Sequence, residues 1–98
     1  MEADFDDERL DRLETDASFD AGFERAVVRG YRKLMRAIRA AVDERDFYAL
    51  KSLHFEKLEG ARAHERSMRI NKQWRLILEL TGSAPSKRVL VKKIEDYH

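Results

Sequence analysis

The sequence predicts an α+β fold, a small antiparallel β-sheet with two N-terminal helices packed on one face. Three observations carry this. Apolar residues between positions 23 and 42 recur at steps of three and four, the period of a helix. Beyond residue 66 the apolar period changes to two, that of a half-buried strand. Helices come first and strands after, an order that suits helices gathered on one side of a meander. The 98 residues are read as one domain spanning 1–98.

In chain order, residues 3–5 are a short candidate strand. Asp6 or Asp7 then caps a short helix that turns Leu10 and Leu13 inward, and "TDASFD" breaks it. The second helix carries one stripe, Phe23, Val27, Tyr31, Leu34, Ile38 and Val42, with Asp20 as its candidate cap. Gly30 within it costs about 1 kcal/mol relative to alanine, which close packing would explain. Its opposite face repeats arginine at positions 25, 29, 32, 36 and 39. Such a row either tracks a phosphate backbone or is a solvated surface. Met68 and Ile70 then alternate with Arg69, and Trp74, Leu76, Leu78 and Leu80 alternate with Arg75, Ile77 and Glu79. After the turn "TGSAPSK", residues 88–94 make a final strand whose apolar residues fall on both parities, so its buried face is ambiguous.

Composition narrows the function. There is no cysteine, which excludes disulfides and thiolate metal sites and fits a reducing cytoplasm. The apolar runs are far too short for a membrane span, and the acidic N-terminus is no signal peptide. Net charge is +1, but residues 1–20 hold nine acids and two bases, while residues 21–98 hold ten acids and eighteen bases. The second part therefore suits a polyanion, with a solvated charged surface as the alternative. His54 and His64 lack metal-ligand spacing, and phosphate-loop, nucleophile-elbow and dinucleotide motifs are all missing, so no metal or cofactor is expected.

The stretch "SMRINKQWRLILEL" holds a hairpin. A three-residue loop, Asn71-Lys72-Gln73, pairs Ile70 with Trp74 and Met68 with Leu76 on one apolar face; a two-residue loop breaks that agreement. The favoured register sets Arg69 opposite Arg75 on the other face, where like charges repel. An anion between them relieves the repulsion, and splaying of the long side chains into water is the alternative. The closing "EDYH" adds Asp96 and His98 on one side of an extended strand and Tyr97 on the other. A histidine able to pass a proton, beside a carboxylate and near arginines, suits metal-free RNA cleavage. A frayed, idle terminus is the bland reading of the same residues.

The segments "FEKLEGARAHERSMRINKQWRLILEL" and "VLVKKIEDYH" resemble the HigB branch of the RelE/ParE toxin superfamily. The shared pattern is Leu58, Gly60 and Arg62; then Ser67, Arg69, Asn71, Trp74 and Arg75; then Asp96, Tyr97 and His98. The match covers roughly residues 50–98. The resemblance implies a toxin of a type II toxin–antitoxin module, acting in the cytoplasm as a metal-independent, ribosome-dependent mRNA endoribonuclease. It implies a cognate helix-turn-helix (HigA-like) antitoxin, and operator DNA bound only through the antitoxin complex. Catalysis is expected from Asp96, Tyr97, His98, Glu56 and Arg75, and RNA contact from Arg69, Lys57, Arg62, Arg66 and Lys72. Glu59, Ala61 and His64 depart from the pattern, giving the loop more bulk and less positive charge. Two rival readings follow: a ParE-like inhibitor of DNA gyrase that cuts nothing, and a weakened toxin kept for antitoxin and operator binding.

Overall fold

The computed structural model describes residues 1–83 and 86–96. Strands β1 (Ala3–Phe5), β2 (Glu56–Lys57), β3 (Arg66–Arg69), β4 (Trp74–Thr81) and β5 (Arg88–Asp96) form one sheet in the order β1-β5-β4-β3-β2. Pairing from β2 to β5 is antiparallel, as a meander requires. β1 joins the far edge parallel to β5, with Ala3 beside Val89 and Phe5 beside Val91. Its three residues carry no signal for that direction. The helices that follow β1 bring the chain back so that β5 meets it in the same sense.

Helix α1 (Glu8–Thr15) starts at Asp7, whose carboxylate accepts from the Arg9 N–H at 2.9 Å. Leu10 and Leu13 are buried as predicted. Helix α2 (Arg25–Ala40) buries Val27, Tyr31, Leu34 and Ile38. Two details differ from the sequence reading. Asp20 accepts from the Gly22 N–H and so closes the turn ahead of the helix rather than capping it. The helix ends at Ala40, and Val42, one step beyond its end, is 84% exposed. A third helix, α3 (Arg45–Ala49), lies outside the predicted pair; its five residues are too few to show a helical period.

The core lies between α1, α2 and one face of the sheet, where Met68, Leu76, Leu78, Val89 and Val91 are fully buried. Buried Tyr31 donates its hydroxyl to the Leu10 carbonyl at 2.7 Å, and desolvation pushes its phenol pKa up. Gly30 is where α2 crosses the hairpin: a Cβ there would lie 2.7 Å from Ile70 Cγ2. Close packing is therefore the reason for that glycine.

A β-bulge resolves the ambiguous final strand. Leu78 pairs with Val91 but Ile77 pairs with Lys93, leaving Lys92 as the extra residue. One added residue reverses the alternation. Val89 and Val91 face the core before the bulge, and Ile94, opposite Leu76, packs against the core after it. Glu95 is thereby placed on the open face, directly beside Arg75.

Candidate functional site

Residues opposed across a sheet share a face. The register therefore builds two rows on the open face: Glu56, Ser67, Ile77 and Lys93, and then Arg69, Arg75 and Glu95. The predicted hairpin register is the observed one, with Arg69 opposite Arg75 and Met68 opposite Leu76. A cleft of about 260 Å³ opens at this end of the sheet. Its walls are His54, Glu56, Ser67, Arg69, Asn71, Lys72, Trp74 and Arg75. It thus gathers three cations and one carboxylate, together with a histidine and an indole.

Local structure sets each of these side chains. Asn71 accepts from the N–H groups of Gln73 (2.9 Å) and Trp74 (2.8 Å), which fixes the loop and leaves Lys72 exposed at its tip. Trp74 meets Phe23 edge to face, 5.8 Å between centroids, which ties the hairpin to the start of α2. His54 follows a 3-10 turn (Lys51–Leu53) in the left-handed region, φ 48° and ψ 50°. That bend aims its ring at the cleft, where Arg69 Nη1 lies 3.4 Å from Nε2. A guanidinium only donates, so Nε2 accepts in this contact.

Arg75 meets its counter-charge on the strand opposite Arg69. Glu95 Oε2 accepts from Arg75 Nε at 3.1 Å and Nη2 at 2.7 Å. The same carboxylate accepts from Arg62 Nη2 (2.9 Å) and Nη1 (3.2 Å) and lies 3.2 Å from Lys93 Nζ. Burial alone would raise the Glu95 carboxyl, but hydrogen bonds from Arg62, Arg75 and Lys93 hold it down at about 2. The anion that the opposed arginines call for is thus supplied, for Arg75, by the protein itself.

The structure brings Glu56, Arg69, Lys72 and Arg75 of the expected residues into one cleft. It does not bring Lys57, Arg62 and Arg66 there. Lys57 and Arg66 pair with each other on the opposite parity from Glu56. Arg66 folds back onto the carbonyls of Ala63 and Glu65, and Arg62 is held by Glu65 and Glu95. Asp96 stands at the end of β5 opposite Trp74 and accepts from Gln73 Nε2 at 3.3 Å. Tyr97 and His98 lie outside the described residues. His54, Ser67, Asn71 and Trp74 were not among the expected site residues. Two-residue spacing on β3 places Ser67 beside Arg69, a signal present in the sequence. His54 has no such signal, because its position depends on a left-handed residue after an irregular turn.

The arginine row on α2 divides in two. Arg32 donates to the carbonyls of Leu13, Asp16 and Phe19, and Arg39 forms a two-point ion pair with Glu14. Arg25, Arg29 and Arg36 are exposed, with Lys33 in line with them. Among the described residues no three His, Asp or Glu side chains converge to hold a metal, and no helix is long and apolar enough to cross a membrane.

The family model described as "RelE-like toxin of type II toxin-antitoxin system HigB" matches residues 3–98. The chain belongs to the HigB-like toxin family. A HigB-like toxin is the toxin half of a type II toxin–antitoxin system, which implies a cognate antitoxin, and the family generally has endoribonuclease activity. Among solved structures, the YoeB/ParE toxin from Agrobacterium tumefaciens is similar in fold, with TM-score 0.63 over the whole of both chains at 22% identity. No curated protein matches the HigB-like chain closely enough to count as a relative.

Proposed function

We propose that this HigB-like toxin is a metal-independent endoribonuclease that cuts mRNA on the translating ribosome. The observation that carries the reading is the open-face cleft, whose lining includes Arg69, Lys72 and Arg75 together with Glu56. In the reaction, the RNA 2′-hydroxyl attacks the adjacent phosphorus and loses its proton to a base. The bond to the 5′ oxygen breaks and an acid protonates that leaving group, giving a cyclic phosphate and a free 5′-hydroxyl. Charge gathers on the non-bridging oxygens meanwhile, and preorganised cations aimed at it lower the barrier. Arg75 and Arg69 take that role, while Lys72 at the loop tip meets the RNA backbone. Glu56 is one acid–base group and His98 the other, with Asp96 orienting His98 and Tyr97 stacking on a base.

A cognate helix-turn-helix antitoxin neutralises the toxin in the cytoplasm, and the complex binds its own operator. Incubating the purified toxin with translating ribosomes and mapping mRNA ends tests the reading. The parent protein cuts; Arg75→Ala and deletion of His98 each lower the rate at least about a hundredfold while the fold stays intact. Gyrase inhibition with uncut mRNA would instead establish the ParE-like rival. Operator and antitoxin binding with neither activity would establish the weakened-toxin rival.

A further inference from the structure

We propose that Glu95 is a positioning residue of this cleft: it sets the orientation of the Arg75 guanidinium and tempers the positive charge around it. The inference rests on the RNA-cleaving reading above. It starts from the open-face row Arg69, Arg75, Glu95, where two like charges stand opposed and the middle one has a carboxylate on its far side. Both bonds from Arg75 to Glu95 leave one edge of the guanidinium, Nε and Nη2, and end on the single oxygen Oε2. Two donors of one edge converging on one charged acceptor restrain the orientation of the group as well as its distance. The group so held also lines the cleft.

Glu95 is itself anchored. Arg62 grips it with both terminal nitrogens and holds buried Glu65 through Nε at 2.6 Å. The chain of contacts therefore runs from a buried carboxylate through Arg62 and Glu95 to the cation that lines the cleft. Arg75 and Glu95 side chains are each only 19% exposed, so these ion pairs lie where solvent screening is weak. The same contacts explain why Arg62, a motif arginine, stays out of the cleft. It holds the support on which Arg75 rests.

Two effects follow if the carboxylate is lost. The Arg75 guanidinium loses this restraint on its orientation, which weakens stabilisation of the transition state. The neighbourhood also gains one positive charge, which strengthens binding of the RNA ground state. A merely structural residue would do neither, since its loss lowers the folded fraction and leaves each folded molecule unchanged. The signature of positioning is a fall in kcat together with a fall in KM.

The test uses the full chain and three variants: Glu95→Gln, which keeps the shape and removes the charge, Glu95→Asp, which keeps the charge, and Arg75→Lys. In nitrogen-15 NMR the Arg75 Nε–H signal is assigned by its loss in Arg75→Lys. It should be slow to exchange with water in the parent and exchange at least about tenfold faster in Glu95→Gln. Per folded molecule, kcat on translating ribosomes should fall about tenfold in Glu95→Gln with a lower KM, and Glu95→Asp should recover part of the loss. An unchanged Arg75 Nε–H signal, or parental kcat and KM in Glu95→Gln, overturns the positioning role. If the parent protein cuts no mRNA, the functional reading falls instead, and the Arg75 signal alone decides whether Glu95 anchors it.

Discussion

Replacing Gly30 with alanine sets two opposing effects against each other. Helix propensity alone favours alanine by about 1 kcal/mol, because glycine is the costliest residue after proline inside a helix. Against this, the new Cβ would lie 2.7 Å from Ile70 Cγ2 and 3.1 Å from the Ile70 carbonyl oxygen. The methyl can rotate aside, but the carbonyl belongs to the hairpin backbone, so α2 and the hairpin must separate slightly. Overpacking of this kind costs about 1–3 kcal/mol, which leaves a net loss of about 1 kcal/mol. For a chain of this size that lowers Tm by about 4–8 °C. Thermal unfolding followed by circular dichroism measures it, with Ile70→Ala and the double variant closing a cycle. Ile70→Ala removes Cγ2, the nearer obstacle, and leaves the carbonyl, so in that background Gly30→Ala costs less than in the parent chain, a coupling of about 0.5–1 kcal/mol. A higher Tm for Gly30→Ala in the parent chain would show that helix and hairpin do not meet this closely, and close packing would fail as the reason for the glycine.

Two further outcomes separate arginines that the sequence places in one row. Arg32→Ala removes a charged donor from three carbonyls, of which that of Asp16 keeps the Phe19 N–H, and should cost about 2 kcal/mol in urea unfolding, whereas Arg36→Ala should stay within about 0.5 kcal/mol of the parent. Equal effects would refute the division of that face. The Glu95 carboxyl is held at about 2 against an ordinary 4.5. A depressed carboxyl stabilises above its unfolded pKa, so its contribution is complete above about pH 4.5 and disappears as pH falls through about 2. That contribution is at most about 3 kcal/mol, and acid unfolding of Glu95→Gln should lack the corresponding slope. A slope identical to the parent's between pH 5 and about 2 would show that the ion cluster does not stabilise the fold.

Much of the fold was legible because periodicity is a local property. The stripe from Val27 to Ile38 and the alternation of Met68, Leu76 and Leu78 each need only a few neighbouring residues to declare a helix or a strand. The hairpin register followed from the same alternation, since a two-residue loop would set Met68 opposite Ile77 and break the shared apolar face. Part of the site was legible by extension: once Arg69 faces Arg75, parity along β3 adds Ser67 to the same face, and the pairing of β2 with β3, which the structure supplies, adds Glu56. Lys57, Arg62 and Arg66 fall outside the cleft for a complementary reason. A basic residue in sequence declares its charge but not its counter-ion, and these side chains are committed to the loop or stand on the other parity.

What the sequence by itself determined is therefore the two main helices ahead of the meander, the buried stripes, the hairpin pairing and the like-charge opposition at its end. Tertiary structure decided how that opposition is relieved. The unpaired Lys92 in β5 reverses the strand's alternation, so Glu95 comes to lie beside Arg75 while Ile94 still reaches the core. Strict alternation from Val91 would have turned Glu95 toward the core. No residue near Lys92 announces the bulge, because its position depends on how the whole of β5 meets β4, with Val89 and Val91 buried at one end and Ile94 at the other.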